Sequence, residues 1–321
     1  MTDNRNAGRI RVGVSSCLLG EQVRFDGGHK HDRRITGELS AYFAWVPVCP
    51  EMELGLGAPR EALRLVEAED GVRLRTSRTG RDLTEQMADY AAKRVAGLRS
   101  WNLRGYVLKK DSPTCGMERV KVYNADNVPG RGGVGRYAQS LRAAYPNLPV
   151  EEEGRLNDPA LRENFIARVF AYDRWLRLRE SGPEVRDLVD FHAQHKTLLL
   201  AHRPDALTSL GRLVAEAGEG DLNDALDRYE ALFMTALAQI ATRKRHVNAL
   251  QHLAGFLKRT LSHDDKTELH GVIRDYARGW VPLVAPMTLL KHHLKQLGHP
   301  WANAQLYLEP YPRALRLRNG I

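Results

Sequence analysis

Short apolar runs alternate with stretches of helical spacing along the first half of the chain. Residues 10–14, 43–48 and 105–108 are short apolar runs of the kind that forms buried strands. Residues 72–76 predict a further strand, and apolar side chains three to four positions apart predict a helix over residues 83–98. Alternating strands and helices are typical of an α/β fold. We therefore expect a Rossmann-like N-terminal domain with a mostly parallel sheet.

The pattern changes after residue 180, where the strand signal nearly disappears. Segments beyond this point repeat apolar side chains with a helical period, which predicts an all-α domain. Glu180-Ser181-Gly182-Pro183, between the two patterns, is typical of a linker. The sequence thus predicts an α/β domain over residues 1–180 and an all-α domain over residues 181–321. The helical segments are residues 185–201, 223–241, 247–261 and 266–278.

Two features precede the predicted boundary. Residues 146–159 are polar and proline-rich, which predicts an irregular connection. Asp158 followed by Pro159 predicts a helix that begins with Asp158 as its N-cap and ends near residue 179. This interpretation assigns the long helix to the α/β domain.

Composition is typical of a soluble globular protein with two domains. The chain has 321 residues, of which 43% are hydrophobic and 27% are charged. Its cysteines are too few, and odd in number, for a disulfide framework, which favours a reducing cytoplasm. No apolar stretch approaches the length of a membrane span, and the polar N-terminus does not resemble a secretory signal. We expect a cytoplasmic protein with no membrane partner.

The net charge of +9 is concentrated near the C-terminus. Residues 241–321 hold 13 Lys and Arg against 5 Asp and Glu, whereas the first 240 residues hold 35 against 34. A localised basic region is typical of proteins that bind nucleic acid, although a well-solvated helical face has a similar composition. The charge therefore indicates a polyanionic partner, and no feature of the sequence indicates a protein partner.

The three cysteines each follow an apolar run, near the point where a predicted strand ends. Their contexts are RVGVSSCLLG for Cys17, WVPVCPEMELG for Cys49 and GYVLKKDSPTCG for Cys115. The carboxyl ends of parallel strands meet at one edge of a sheet, so we expect the three thiols to converge there. Thiolates suit soft metals and iron–sulfur clusters, which are normally held by four thiolates. Three would leave one metal position open to a substrate.

The residues alone leave other interpretations open. Free cysteine is among the most buried residue types, so the three can be structural thiols. A zinc site would need a fourth ligand, which His29 or His31 can supply, although the chain has no CxxC pair. The pattern also does not separate Glu51 from Glu53 as an acid/base group, because both follow the second cysteine on the same turn.

Three motifs around the cysteines resemble those of the thiouracil desulfidase family, namely CLLGEQVRFDGGHK, CPEMELGLGAPR and LKKDSPTCG. In the C-terminal part, FHAQHKTLLLAH, NALQHLAGFLKRTL and PLVAPMTLLKHHL resemble a helical domain often fused to that family. The fused form is similar to bacterial tRNA 4-thiouridine desulfidases. The resemblance covers nearly the whole chain, and the order and spacing of the motifs agree.

The resemblance implies specific roles for residues of the three motifs. It implies a [4Fe–4S] cluster held by Cys17, Cys49 and Cys115, with a fourth iron that has no protein ligand. It also implies Glu51, two residues after the second cysteine, and Ser112, three before the third, as catalytic residues. The resemblance thus favours Glu51 as the acid/base group.

The implied reaction is hydrolytic and involves no net redox change. The open iron is expected to bind the thiocarbonyl sulfur, and Glu51 to activate water for attack at C4 or to pass a proton to the sulfur. Ser112 is expected to orient water or substrate, or to relay a proton. The sulfur then leaves as hydrosulfide. Thr114 stands where we would expect serine, which leaves these roles intact.

Charged residues near the first and third cysteines are candidate substrate contacts. Lys109 and Lys110 can hold a phosphate or the uracil O2, and Asp26 can contact the base edge. Arg24 and Lys30 belong to a basic loop that we expect to contact RNA.

The helical domain supplies the predicted tRNA contacts. An apolar stripe along residues 247–261 leaves a polar face that can follow a phosphate backbone. His192, His195 and His202 lie at near-helical spacing, but no carboxylate at matching spacing supports a metal site, which favours structural or RNA-facing histidines. The predicted contacts are Lys244, Asn248, His252, Lys258, Arg259, Lys291 and Lys295.

Two other functions remain open. The same chemistry can act on free thiouracil or a thionucleotide, with another purpose for the helical domain. A non-catalytic iron–sulfur protein that senses iron or oxygen and binds nucleic acid is the third alternative. No helix-turn-helix signature supports it, and Glu51 and Ser112 would then have no role. The basic C-terminal region favours thiolated tRNA as the substrate.

Overall fold

The computed structural model describes residues 8–321, which form two compact units. Unit 1 ends at Asn157, and unit 2 extends from Asp158 to Ile321. Residues 1–7 lie outside the described residues. They are part of the polar stretch from which the absence of a secretory signal was predicted.

Unit 1 is an α/β domain, as predicted. The structure confirms the strands expected at residues 10–14, 43–48, 72–76 and 105–108 and the helix expected over residues 83–98. The strands are β1 (Ile10–Ser15), β2 (Phe43–Val48), β3 (Leu63–Ala68), β4 (Gly71–Thr76), β5 (Gly105–Leu108), β6 (Val120–Tyr123), β7 (Pro129–Gly133) and β8 (Val150–Glu152). The helices are α1 (Arg33–Thr36), α2 (Pro50–Glu53), α3 (Thr84–Gly97) and α4 (Arg136–Ala144).

The main sheet contains four parallel strands in the order β2-β1-β5-β8. The chain moves from β1 to β2 on one side and returns to β5 on the other side of β1, so the strand order reverses between β1 and β5. In open α/β sheets, ligands bind beyond the carboxyl ends of the strands at such a reversal. The two strands there are closely packed, because a Cβ atom on Gly13 would lie 2.2 Å from the Tyr106 ring.

A second, mixed sheet has the order β4-β3-β6-β7. Its β3–β4 and β6–β7 pairs are antiparallel, whereas β3 and β6 are parallel. Leu65, Leu74 and Met87 form the centre of its core. The sequence pattern does not predict β7, because its residues are Pro, Gly and Arg, which are uncommon in strands.

The stretch predicted to be an irregular connection contains β8, so that prediction is wrong. Glu151 and Glu152 are each 6% exposed although they are acidic. Their carboxylates have partners: Glu151 Oε1 accepts from Arg155 Nε at 2.7 Å, and Glu152 Oε1 accepts from the Met117 backbone N–H at 2.7 Å. These bonds allow a strand of polar sequence to be buried.

Unit 2 is all-helical, as predicted. Its core is aromatic: Trp175 stacks on Tyr229 with ring centroids 5.1 Å apart, and Phe191 contacts both rings. The helices are α5 (Pro159–Glu180), α6 (Val185–His202), α7 (Pro204–Glu216), α8 (Leu222–Leu237), α9 (Arg243–Ala254), α10 (His263–Arg278), α11 (Val284–Leu297) and α12 (Pro300–Asn303).

The long helix α5 begins where the sequence predicts, because the Asp158 carboxylate accepts from the backbone N–H groups of Ala160 and Leu161. It nevertheless belongs to unit 2. Helix α5 packs against α8, and Trp175 Nε1 donates to Glu230 Oε2 at 2.7 Å. The two units therefore divide after residue 157 and not at the predicted residue 180, which lies at a turn between two helices of one unit.

Among residues 8–321, the structure shows no helix that is both long enough and apolar enough to span a membrane.

Candidate active site

The three cysteines lie just beyond the carboxyl ends of three adjacent strands. Cys17 follows β1 in a short 3-10 turn, and Cys49 follows β2 directly as the N-cap position of α2. Cys115 lies in the turn after β5. Because β2, β1 and β5 are neighbours in the sheet, the reversal of strand order brings the three thiols to one edge, as the sequence predicts.

The three thiols are free and line one cavity of about 740 Å³ in unit 1. Burial raises the pKa of the Cys17 thiol to about 11. It also raises the pKa of Cys49 and of Cys115. A metal centre supplies the positive charge that stabilises buried thiolates, so metal binding would release protons from this site.

The three thiols are soft donors of the kind that hold an iron–sulfur cluster, and all three line one cavity. Within the described part of the chain, no three His, Cys, Asp or Glu side chains are grouped as ligands of one ion. A zinc ion needs all its ligands within bonding distance of one centre, whereas a four-iron cluster takes each thiolate on a different iron. Three separate thiols around a cavity therefore suit the cluster implied by the resemblance.

The two glutamates after Cys49 point in different directions. Glu51 lines the cavity, and its side chain is 14% exposed. Glu53 turns away, because its Oε2 accepts from Tyr90 Oη at 2.7 Å and forms an ion pair with Arg94, whose Nε lies 2.8 Å away. Its other oxygen lies 3.4 Å from the Cys49 backbone N–H, where it caps the short helix. The geometry therefore favours Glu51 over Glu53 as the acid/base group.

Ser112 and Thr114 occupy a rigid turn between β5 and Cys115. Ser112 Oγ accepts from the Cys115 backbone N–H at 3.1 Å, and the Gly116 N–H donates to the Ser112 carbonyl at 2.8 Å. The start of α4 packs directly on this turn, because a Cβ atom on Gly135 would lie 2.5 Å from the Thr114 carbonyl oxygen. Both hydroxyl groups line the cavity.

Lys109 lies at the cavity wall in an ion pair. Its Nζ lies 2.5 Å from Glu153 Oε1, and Glu153 Oε2 accepts from the Lys110 backbone N–H at 2.8 Å. Glu153 lines the same cavity and is 8% exposed. The sequence pattern does not identify Glu153, because it lies in the stretch predicted to be an irregular connection. Lys109 is therefore already paired, whereas Lys110 is exposed beside the cavity and is the better candidate for a phosphate contact.

The loop after Cys17 forms another wall of the cavity. Arg24 and Lys30 line it, as does Phe25, which is 41% exposed and was not singled out from the sequence. The Arg24 guanidinium lies 5.3 Å from the centroid of the Phe25 ring. Asp26 does not line the cavity. Its carboxylate accepts from Arg24 Nε at 3.3 Å and from the Gly28 N–H at 3.1 Å, so it holds the turn.

The predicted RNA contacts in unit 2 are distributed over two places. Lys291 and Lys295 line a second cavity of about 1280 Å³, formed by α11 and the C-terminal segment. Lys291 also forms an ion pair with Glu309. The remaining predicted contacts lie on α9 or just after it and are exposed to solvent. They are Lys244, Asn248, His252, Lys258 and Arg259.

Several C-terminal arginines are bonded to groups of the fold, and one of them is buried. Arg318 is 8% exposed and pairs with Glu163. Arg243 Nη1 donates to the Tyr276 carbonyl, and Arg245 Nη1 to the His202 carbonyl, each at 2.7 Å. The charge counted along the sequence therefore overstates the charge available to a ligand.

The three histidines of α6 are structural. His195 is completely buried and its Nδ1 lies 2.7 Å from the Phe191 carbonyl oxygen. His192 Nδ1 lies 3.2 Å from Tyr229 Oη, and His202 Nδ1 lies 2.7 Å from the Gln239 carbonyl oxygen. All three are at most 3% exposed, so the alternative of RNA-facing histidines is wrong.

Each unit matches a known family. The model of the 2-thiouracil desulfurase family matches residues 12–153, and that of a family of unknown function, DUF1722, matches residues 196–312. The chain is 30% identical over 159 residues to the uncharacterized protein YbgA of Escherichia coli K12, an alignment that covers 49% of this chain and 94% of YbgA. It is 32% identical over 153 residues to the uncharacterized protein YbbK of Bacillus subtilis 168, covering 45% of this chain and 97% of YbbK. The [4Fe-4S]-dependent thiouracil desulfidase TudS is a similar solved structure, with 27% identity, a TM-score of 0.38 and coverage of 46% of this chain and 94% of TudS.

Proposed function

The chain belongs to the 2-thiouracil desulfurase family, and on that premise we propose that it removes sulfur from 4-thiouridine in tRNA. The products are uridine and hydrosulfide. The observation that carries this proposal is the convergence of three free thiols and Glu51 on one cavity at the reversal of strand order.

In this proposal Cys17, Cys49 and Cys115 hold a [4Fe–4S] cluster. The cluster supplies a Lewis acid with affinity for sulfur, since three thiolates leave one iron without a protein ligand. The cavity has the three soft donors that such a cluster requires. Its polar wall leaves room for a substrate beside them.

The chain's own residues bind the base and move protons. Glu51 accepts a proton from water that attacks C4, or delivers one to the departing sulfur. Ser112 also lines the cavity, and its hydroxyl group can orient the water. Phe25 presents an exposed ring on which an unstacked base can lie, and Lys110 can pair with a nearby phosphate. Lys109, held by Glu153, keeps a positive charge at the wall.

The helical unit supports RNA as the form of the substrate. Lys244, Lys258 and Arg259 are exposed on or just after α9, where a phosphate backbone can approach. A base in folded tRNA must be unstacked before reaction, at a cost of about a few kcal/mol. Contacts to the RNA backbone can offset that cost, which gives the second unit a function in the reaction.

The test is anaerobic cluster reconstitution followed by incubation with thiolated tRNA. We expect the near-ultraviolet absorbance of 4-thiouridine to disappear and one hydrosulfide to be released for each 4-thiouridine that is converted. Heat-denatured holoprotein and iron-free protein are the controls. Retention of 4-thiouridine by a fully loaded protein would exclude the proposal.

Free thiouracil is the second candidate substrate, because the matching family is described as 2-thiouracil desulfurase. The same assay with free 2-thiouracil and 4-thiouracil separates the two candidates. A higher kcat/KM with the free base than with tRNA would favour the second candidate. It would also leave the basic surface of unit 2 without a role in substrate binding.

A further inference from the structure

The carboxylate of Glu51 is bonded on both oxygens. Arg60 Nε donates to Glu51 Oε2 at 2.9 Å, and Arg60 Nη2 donates to the same oxygen. Thr114 Oγ1 donates to Glu51 Oε1 at 2.8 Å. The Arg60 side chain is only 6% exposed. These contacts leave the carboxylate little freedom to rotate, which is the condition for precise proton transfer.

Arg60 is itself fixed by the loops around the cavity. Its remaining terminal nitrogen donates to the Val23 carbonyl at 2.9 Å and to the Gly57 carbonyl at 2.6 Å. Its backbone N–H donates to the Phe25 carbonyl at 2.9 Å. Because one guanidinium joins Glu51 to the loop after Cys17, the carboxylate and that cavity wall keep a fixed separation.

The hydroxyl of Thr114 joins Glu51 to Ser112. A hydroxyl has one hydrogen, and the Thr114 hydrogen is directed to the Glu51 carboxylate, which can only accept. Ser112 Oγ lies 3.0 Å from Thr114 Oγ1 and must therefore donate to it. The Thr114 contact with Cys115 Sγ is longer, at 3.7 Å. The bonds thus run in one direction, from Ser112 through Thr114 to Glu51.

We propose that Arg60 and Thr114 are positioning residues for the desulfidase reaction, and that Thr114 relays a proton between Ser112 and Glu51. This inference rests on the proposed function. As water attacks the thiocarbonyl carbon, a water O–H bond breaks and its proton passes to Ser112 Oγ, which gives up the longer of its two backbone bonds, the 3.3 Å bond from the Thr114 N–H. The Ser112 hydrogen then moves to Thr114, and the Thr114 hydrogen moves to Glu51 Oε1. One C–O bond forms, the π-electron pair of the C=S bond moves to sulfur, and both hydroxyl groups end neutral, with the proton held on Glu51 for the departing sulfur.

The test compares two substitutions at position 114 in the cluster-loaded protein. Thr114→Val keeps the shape and removes the hydroxyl, whereas Thr114→Ser keeps the hydroxyl. We expect Thr114→Val to lower kcat by about 100-fold with KM unchanged, since general acid–base groups contribute roughly that much. Thr114→Ser should stay within about threefold of the wild type. Iron and sulfide content and the visible spectrum should be the same in both variants.

Two further comparisons distinguish a relay from a merely structural role. In a Glu51→Gln background, Thr114→Val should cost little further activity, because the relay acts through Glu51. Arg60→Met should lower kcat more than Arg60→Lys, which keeps the charge but loses the planar fork. Melting temperature and iron content, measured for each variant, show whether the fold and the cluster are intact.

The outcomes separate this inference from the function on which it rests. If the wild type turns over thio-substrates and Thr114→Val is equally fast, the relay is wrong and the function stands. If Thr114→Val and Glu51→Gln are each slow and their effects multiply in the double variant, Thr114 does not act through Glu51 and the relay is again wrong. If the loaded wild type leaves every thio-substrate unchanged, the function and the relay are both wrong.

Discussion

Buried ionisable side chains line a cavity in unit 1, whereas in unit 2 they are packed among aromatic rings. In unit 1, Glu51 forms an ion pair with Arg60 and Glu153 forms one with Lys109. Both glutamates line the same cavity as the three thiols. In unit 2, His192 and His195 lie against Tyr229 and Phe191, with ring centroids 5.9 and 4.0 Å apart. The thiols of unit 1 and these histidines of unit 2 are both conspicuous in the sequence, but of the two only the thiols face space for a ligand.

The buried groups of the two units require opposite charge states: the thiols must be ionised to bind a metal, whereas the histidines must be neutral. The thiols of unit 1 require a cationic centre to exist as thiolates, because burial raises the pKa of each. His192 and His195 of unit 2 must remain neutral, because burial lowers the pKa of His192 to about 4 and holds that of His195 well below its usual value. Metal binding is therefore expected to change the protonation of the thiols in unit 1, whereas a lower pH is expected to destabilise unit 2.

The largest expected effect is the loss of the cluster from unit 1. Replacing Cys17 or Cys115 by alanine removes one of the three proposed cluster ligands, so activity should fall below detection and iron content should drop sharply. Far-ultraviolet circular dichroism should change little, since unit 2 holds most of the helix. Cluster content that is unchanged in both variants would contradict the assigned ligands.

The second prediction uses the two glutamates of α2. Glu51→Gln keeps the size of the side chain and should leave iron content unchanged, while kcat falls by roughly 10² to 10⁴-fold. Glu53→Gln is the matched control. It should change kcat by less than about threefold, because its partners Tyr90 and Arg94 lie outside the cavity lining. A larger loss from Glu53→Gln would reverse the assignment.

The convergence of the cysteines can be predicted from the sequence, because apolar runs mark the strands that precede them. Each thiol follows an apolar run that forms a strand of one parallel sheet, and the ends of such strands must meet. Arg60, Thr114 and Glu153 could not be found in this way. Their roles depend on individual side-chain bonds, which apolar periodicity does not predict. Some of these bonds are also distant along the chain, such as that between Thr114 and Glu51, which are 63 residues apart.

The misplaced boundary has a different cause. Ser181 and Gly182 are typical of a linker, and Gly182 does have a positive φ of 67°. The turn they form nevertheless joins α5 to α6 within one unit. The assignment of α5 is decided by packing: Glu163 and Trp175 are buried against partners from the later helices and the C-terminal segment. Such partners are not visible from the sequence around the turn.

The third prediction concerns acid stability. A histidine whose folded pKa lies below its unfolded pKa takes up its proton first in the unfolded state, so stability is highest above about pH 6.5 and falls as the pH is lowered. For His192, whose pKa is about 4 when folded, the loss between pH 7 and pH 4 should reach about 3 kcal/mol. Hydrogen exchange of α6 and α8 as a function of pH measures it.

His192→Gln provides the control for this prediction. The variant is expected to be less stable at pH 7, because the bond to Tyr229 Oη changes, but its stability should fall less steeply with acid. Protection of α6 that is constant from pH 7 to pH 4 in the wild type would contradict the prediction. It would also remove the electrostatic contrast between the two units.

The smallest effect is expected on the surface of unit 2. Lys258→Glu with Arg259→Glu should weaken tRNA binding by about tenfold and reduce the salt dependence of log K by about one for each phosphate that the protein no longer neutralises. The matched control reverses two exposed lysines of unit 1, Lys93→Glu with Lys121→Glu, and changes the net charge equally. Activity on free thiouracil should be unchanged in both double variants, because neither pair lines the cavity that holds the thiols. If the two double variants lose the same tRNA affinity, the effect arises from total charge, and the helical unit does not carry a specific RNA surface at α9.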